Sequence, residues 1–155
     1  MNKETLYLDT SIPGAYHDSE KPRRQRRTWE FWEKLPLYEV KTSQVTVVEI
    51  SRIAAPEMRR KTLSLIFVPE IEIYQVLEED NELADEYLEF GIFPSDERDD
   101  ALHVAIATIR GLNYLVSWNH DHIVEENTKR YVYELNAVWG YETPSIVSPI
   151  HFLRR

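Results

Sequence analysis

Residues 99–117 read DDALHVAIATIRGLNYLVS, and two elements are legible in them. Ala101, Leu102, Ala105, Ile106 and Ile109 recur at the spacing of a buried helical stripe. The acidic pair Asp99 and Asp100 precedes them, as the first turn of a helix favours. Gly111 stands where a C-cap glycine ends such a helix. Asn113 to Ser117 then predicts a short strand, and Trp118-Asn119-His120-Asp121-His122 a polar loop at its end.

The same alternation extends in both directions. Leu6-Tyr7-Leu8 predicts a buried strand ending at Asp9-Thr10-Ser11, and Pro13 with Gly14 keeps any helix after it short or irregular. Residues 24–38 predict an amphipathic helix ending near Pro36. Ser43 to Val48 is β-branched and strand-like at its start, whereas Glu49 to Ala55 is more helical, with Pro56 as the break. Further helices are expected over 57–67, 77–90 and 124–138, with strands around Ile71 and Ile73 and at 144–147. Strands alternating with helices imply an α/β fold, a three-layer sandwich with a central parallel sheet and helices on both faces. Such folds place the active site outside the carboxyl ends of the strands. Asp9 follows the first strand there, Asn119 and Asp121 follow the later one, and Glu49 and Asp100 are read as opening helices.

Composition narrows the class. The chain has 155 residues, the size of one domain over 1–155, with 43% hydrophobic and 29% charged residues. It has no cysteine, which removes disulfide scaffolds, thiol catalysis and cysteine zinc sites. The polar start and the lack of any long apolar run predict no signal peptide and no membrane span, hence a cytoplasmic protein. Net charge is −9, but unevenly spread: residues 70–100 hold 13 of the 27 acidic residues against Arg98 alone. Lys21, Arg23, Arg24, Arg26 and Arg27 crowd into one short stretch. A low mean isoelectric point therefore does not exclude a nucleic-acid partner.

Each acidic candidate has an ordinary role open to it. Asp9 and Asp100 suit helix caps, Glu49 a partly exposed helix position, and Asn119 and Asp121 a turn. If they converged, three or four carboxylates would repel one another and require a cation to remain ionised. Oxygen ligands favour Mg²⁺ or Mn²⁺, ions that activate water and neutralise a phosphodiester's leaving oxygen. Competing chemistries lack their signatures. His120 and His122 lack the i, i+4 spacing of a helical zinc pair and are read as loop residues packing on Trp118. Position 11 is serine where an aspartyl-phosphate phosphatase needs a second Asp, and the four glycines form no phosphate loop. No serine sits in a G-x-S-x-G elbow. Trp29 and Trp32 are read as core by their helical spacing.

Four segments taken in order, Leu6 to Ser11, Thr46 to Ile50, Asp100 to Ala107 and Leu115 to Asn119, resemble the motifs of the PIN domain. The resemblance covers about residues 5–125 and implies a fold like that of 5′-nucleases. Many small bacterial PIN domains are VapC-type toxins, Mg²⁺- or Mn²⁺-dependent ribonucleases neutralised by a small antitoxin. It implies Asp9, Glu49 and Asp100 as metal-binding and catalytic carboxylates. The fourth motif departs from the pattern, leaving Asn119 and Asp121 as alternatives, and Ser11 would hydrogen-bond beside the site. Arg23, Arg24, Arg26 and Arg27 would contact RNA phosphates or clamp an antitoxin tail, although a plain solvated helix face also accounts for them. Family members often pair into homodimers, but no interface signature is evident here. The alternative function is a non-catalytic PIN-like module that binds RNA or a partner through an incomplete metal site.

Overall fold

Three consecutive residues of the first strand divide the core. In the computed structural model, which describes residues 2–153, Leu6 and Leu8 join one apolar cluster and Tyr7 the other, all fully buried. This is the period-2 alternation of a strand covered on both faces. The strands are β1 (Thr5–Leu8), β2 (Glu39–Ser43), β3 (Ile71–Tyr74), β4 (Tyr114–Val116) and β5 (Ser145–Val147). They form one parallel sheet in the order β3-β2-β1-β4-β5. Tyr7 pairs with Lys41 on one side and Leu115 on the other.

The helices are α1 (Ser11–Tyr16), α2 (Pro22–Trp32), α3 (Gln44–Ser51), α4 (Pro56–Ile66), α5 (Glu78–Glu89), α6 (Arg98–Ile109), α7 (Glu126–Trp139) and α8 (Ile150–Leu153). Ile12, Phe31 and Phe152 of α1, α2 and α8 pack with Leu6, Leu8 and Val116. Val45, Leu83, Ile106 and Val132 of α3, α5, α6 and α7 pack with Tyr7 and Leu115 on the opposite face. The expected three-layer α/β sandwich is therefore present. Its chain path moves from β1 outward to β2 and β3, then returns across β1 to β4. That reversal opens a crevice between the carboxyl ends of β1 and β4.

Four local expectations are corrected. The strand anticipated from Ser43 lies earlier, and Gln44 onward is α3. Ser43 Oγ caps that helix by accepting from the Val45 amide at 3.2 Å. Val45, Thr46 and Ile50 are buried at helical spacing, so packing overrides their β-propensity. Glu49 consequently sits in the last turn of α3 instead of opening a helix, and Pro56 starts α4 at its first position. The apolar stripe of α6 is wider than expected: every residue from Asp100 to Thr108 is buried, which makes α6 a central helix. Trp29 is 41% exposed and not core, its indole N–H donating to the Tyr16 carbonyl at 2.9 Å.

Two polar anchors hold the acidic helix α5. Buried Asp80 accepts from Arg110 at 2.7 Å and from the Leu77 amide at 2.7 Å. Buried Tyr87 donates to Asn136 Oδ1 at 2.5 Å, tying α5 to α7. Tyr87→Phe should destabilise the protein by about 2 kcal/mol, because the Asn136 carbonyl is then buried without a donor. Urea unfolding measures this, and an unchanged midpoint would show that the amide finds another partner. Among the described residues no helix is long and apolar enough to cross a membrane.

Candidate functional site

The crevice is built from chain ends that the sheet brings together. Asp9 follows β1 and is 3% exposed. Its Oδ1 accepts from the Ser11 amide at 3.1 Å and from Ser11 Oγ at 2.5 Å, and its Oδ2 accepts from Ser117 Oγ at 2.5 Å. Ser11 Oγ in turn accepts from the Trp118 amide at 2.8 Å. The two serines thus lock the ends of β1 and β4 together around one carboxylate. Ser117, which closes the β4 segment, was not among the sequence candidates.

Glu49 reaches the same region from α3, and the residue that receives it is His103 of α6. His103 Nε2 lies 2.7 Å from Glu49 Oε1, and Thr10 Oγ1 donates to the same oxygen at 2.5 Å. His103 Nδ1 lies 2.7 Å from the Tyr7 hydroxyl, which is 2.7 Å from Ser43 Oγ. With both ring nitrogens protonated, His103 donates to Glu49 and to Tyr7, and Tyr7 donates onward to the Ser43 hydroxyl that caps α3. One buried chain of hydrogen bonds thereby links β1, α3 and α6.

His103 is 1% exposed and sits among carboxylates. Burial disfavours its charge, yet Glu49, Asp9 and Asp100 together raise its pKa above the ordinary histidine value. For Glu49, burial acts to raise the carboxyl, but the bond to and charge of His103, with Thr10 and Arg52, hold it below the usual range. Burial dominates at Asp9 and raises it despite His103 and the two serines. At Asp100 burial again raises the carboxyl, Glu97 adds to this, and His122 and His103 oppose it. Asp100 acts to raise Asp9 and Glu97 acts to raise Asp100, and His103 opposes the shift at both. A histidine within an otherwise apolar helix, Ala101 to Ala107, was the signal for that role.

Asp100 occupies the first turn of α6, which runs antiparallel to β4 and so begins at the carboxyl edge of the sheet. The loop after β4 closes over it. Asn119 Nδ2 donates to Asp100 Oδ2 at 3.2 Å, and His122 Nδ1 lies 3.0 Å from the same oxygen. Asp121 is exposed, with no hydrogen bond or ion pair to the cluster among the described residues. His120 packs on Trp118 at 6.3 Å as expected; His122 instead turns to Asp100. Donor atoms of Glu97, Asp100 and His122 lie within 4.8 Å of one another, and Glu97 was not among the sequence candidates.

The basic stretch lies on α2, which is fastened to the same loop. Trp118 Nε1 donates to Thr28 at 3.0 Å, and the Arg24 guanidinium stacks over the Trp118 ring at 5.4 Å. Arg27 is paired with Glu30 at 3.5 Å. Arg23 and Arg26 are exposed on the same helix.

No protein-family model matches this sequence, and no curated protein does. The architecture has solved counterparts. VapC20 of Mycobacterium tuberculosis, a sarcin-ricin loop cleaving toxin, is similar with a TM-score of 0.59 at 19% identity, over 76% of this chain and 92% of that one. A chain of VapBC2 from Rickettsia felis, bound to a DNA fragment from their promoter, is similar with a TM-score of 0.56 at 16% identity, over 93% of this chain and 98% of that one. The likeness is one of fold: this chain has the α/β architecture of the PIN domain, shared with these toxin structures.

Proposed function

We propose that this chain is a metal-dependent endoribonuclease of the toxin type, acting on RNA in the cytoplasm and held in check by a small antitoxin. What supports the reading is the placement of Asp9, Glu49 and Asp100 around buried His103, which Glu49 contacts directly and the other two influence electrostatically, at the switch point of a PIN-type sheet. The fold likeness to VapC20 and VapBC2 supports it. The donor set fits a hard divalent cation, Mg²⁺ or Mn²⁺, because the three carboxylates offer oxygen and carry more negative charge than His103 offsets. Asp9, Glu49 and Asp100 would hold it, with Asn119 or Asp121 completing the shell. When bound, such an ion supplies an activated water for attack on the phosphodiester and neutralises charge on the leaving oxygen.

The protein's own groups prepare that chemistry. Ser11 and Ser117 fix both oxygens of Asp9. His103 and Thr10 orient one oxygen of Glu49, and the other makes no hydrogen bond among the described residues. Arg24 and Thr28 hold the basic helix against the loop, so Arg23 and Arg26 can contact the RNA backbone beside the acidic crevice. Reversing Arg23 and Arg26 to Glu should weaken RNA binding uniformly across sequences. It should also lower the salt slope of log K by about 0.7 for each phosphate that the protein no longer neutralises. A filter-binding series in rising salt measures both effects, and an unchanged slope would leave these arginines as a solvated face or an antitoxin clamp.

One observation favours a second reading. Buried His103 stands beside Glu49 at 2.7 Å with its pKa raised by the surrounding carboxylates, and when protonated it offsets their charge without a metal, as an RNA-binding module would require. Cleavage of a mixed RNA pool separates the two, run with Mn²⁺, with excess chelator, and with Asp100→Asn as contamination control. Cleavage by the native chain alone, and only with metal, is the expected result. Equal behaviour of native chain and variant marks any cutting as contamination, and RNA binding that ignores chelator then favours the module.

A further inference from the structure

The β4 loop contributes no carboxylate to Asp100, and its nearest donor atom with a lone pair to offer a metal is a nitrogen. Asn119 is committed elsewhere: its amide nitrogen, a donor that cannot ligate, faces Asp100 Oδ2 at 3.2 Å, and its Oδ1 accepts from the His122 amide at 3.0 Å. That second bond turns the loop so that His122 Nδ1 stands 3.0 Å from Asp100 Oδ2. Two neighbouring ligands of an octahedral ion with bonds of about 2.1 Å are separated by about 3.0 Å, so this pair can share an ion with little rearrangement. Glu97 completes a three-donor group within 4.8 Å. Its half-buried carboxylate has no hydrogen bond or ion pair among the described residues, and it stands beside another carboxylate. His103 makes its hydrogen bonds with Glu49, Tyr7 and Thr10 and none with this group.

We propose that His122 ligates the site's divalent ion through Nδ1 together with the carboxylates of Asp100 and Glu97, and that this nitrogen donor gives Mn²⁺ preference over Mg²⁺. The proposal rests on the metal-dependent reading above and changes its fourth ligand from Asn119 or Asp121 to an imidazole. Asn119 then acts as a positioning residue that presents His122. The preference follows from donor chemistry: Mg²⁺ favours oxygen and retains its water, whereas an imidazole stabilises a transition ion more.

The test is spectroscopic and needs no substrate. Mn²⁺ is titrated into the purified full chain, its affinity read by electron paramagnetic resonance and its nitrogen coupling by pulsed measurement, with Mg²⁺ as competitor. The native chain should show ¹⁴N coupling. His122→Gln should lose it, weaken Mn²⁺ binding by about tenfold or more and narrow the advantage over Mg²⁺. His103→Gln should keep the coupling, and Glu97→Gln should weaken binding while keeping it. Incorporating ¹⁵N-histidine into the native chain replaces the ¹⁴N signal with a ¹⁵N one, a check independent of whether any variant folds. Bound Mn²⁺ without histidine nitrogen coupling overturns the proposal and leaves the metal-dependent reading standing. Coupling lost in His103→Gln but retained in His122→Gln does the same. Failure of the folded native chain to bind Mn²⁺ overturns both.

Discussion

Asp9→Asn is expected to lower metal-dependent RNA cleavage by at least about a hundredfold, since losing even an outer-shell partner of a metal costs about ten- to a hundredfold. The protein should remain folded. The new amide keeps an oxygen for Ser11, and its nitrogen can donate to Ser117 Oγ, which has two lone pairs and already accepts from the Asn119 amide at 2.9 Å. Burial raises the Asp9 carboxyl above its ordinary range, so a neutral group of the same shape relieves a desolvation cost. Thermal stability without metal should therefore be unchanged or slightly higher. Activity of purified variants, with circular dichroism on the same samples, checks the pair of expectations. Unfolding of Asp9→Asn would make the carboxylate a structural lock between β1 and β4 instead of a ligand.

His103→Leu is expected to cost about 3 kcal/mol, the lower end of what breaking a buried ion pair by removing one partner costs. It removes the imidazole bonded to Glu49, whose protonated form offsets Glu49, Asp9 and Asp100, and it removes the bond to Tyr7. The effect should depend on pH. The folded-state pKa of His103 is raised, so its stabilisation is complete below about pH 6.5 and is lost as pH rises through the folded value. Asp9 and Asp100, also raised, act in the same direction, because they ionise at a cost in the folded state. Glu49 is lowered, so its contribution is present above the ordinary carboxylate range and lost only as pH falls through its depressed value. With chelator present, native stability should peak at mildly acidic pH and decline on the alkaline side, and the decline should flatten in His103→Leu. Urea midpoints from about pH 5 to about pH 9 read this directly, a span that covers the titration of histidine. A native curve that instead rises with pH up to about 6.5 and then levels off would show that His103 is neutral in the folded protein.

The parts of the fold that were legible share one property: their signal is local. Leu6-Tyr7-Leu8, the acidic start and Gly111 stop of α6, and the strand at Tyr114–Val116 carry periodicity and caps within a few residues. Ser43 to Val48 misled because β-branched residues favour strands only until something buries them otherwise, and α3 is decided by packing of Val45 and Ile50 against the core. Trp29 misled for the converse reason: helical spacing places a side chain on a face but does not say whether that face is covered. For α6 the stripe was right and too narrow, since burial on its remaining sides comes from α5 and the sheet.

The site divides in the same way. From the sequence alone came the alternation that makes a parallel sheet, the chain ends where Asp9, Asp100 and the Trp118–His122 loop must lie, and the inference that clustered carboxylates need a cation. Those follow from periodicity, from caps and from charge, all properties of neighbours in the chain. Only the tertiary structure brought Glu49 from the end of α3, set His103 beside it with a raised pKa, and turned His122 rather than Asp121 toward Asp100. These contacts join residues 22 and 54 positions apart. Their geometry depends on where the sheet reverses direction and on which polar groups are left facing each other once the apolar ones are buried.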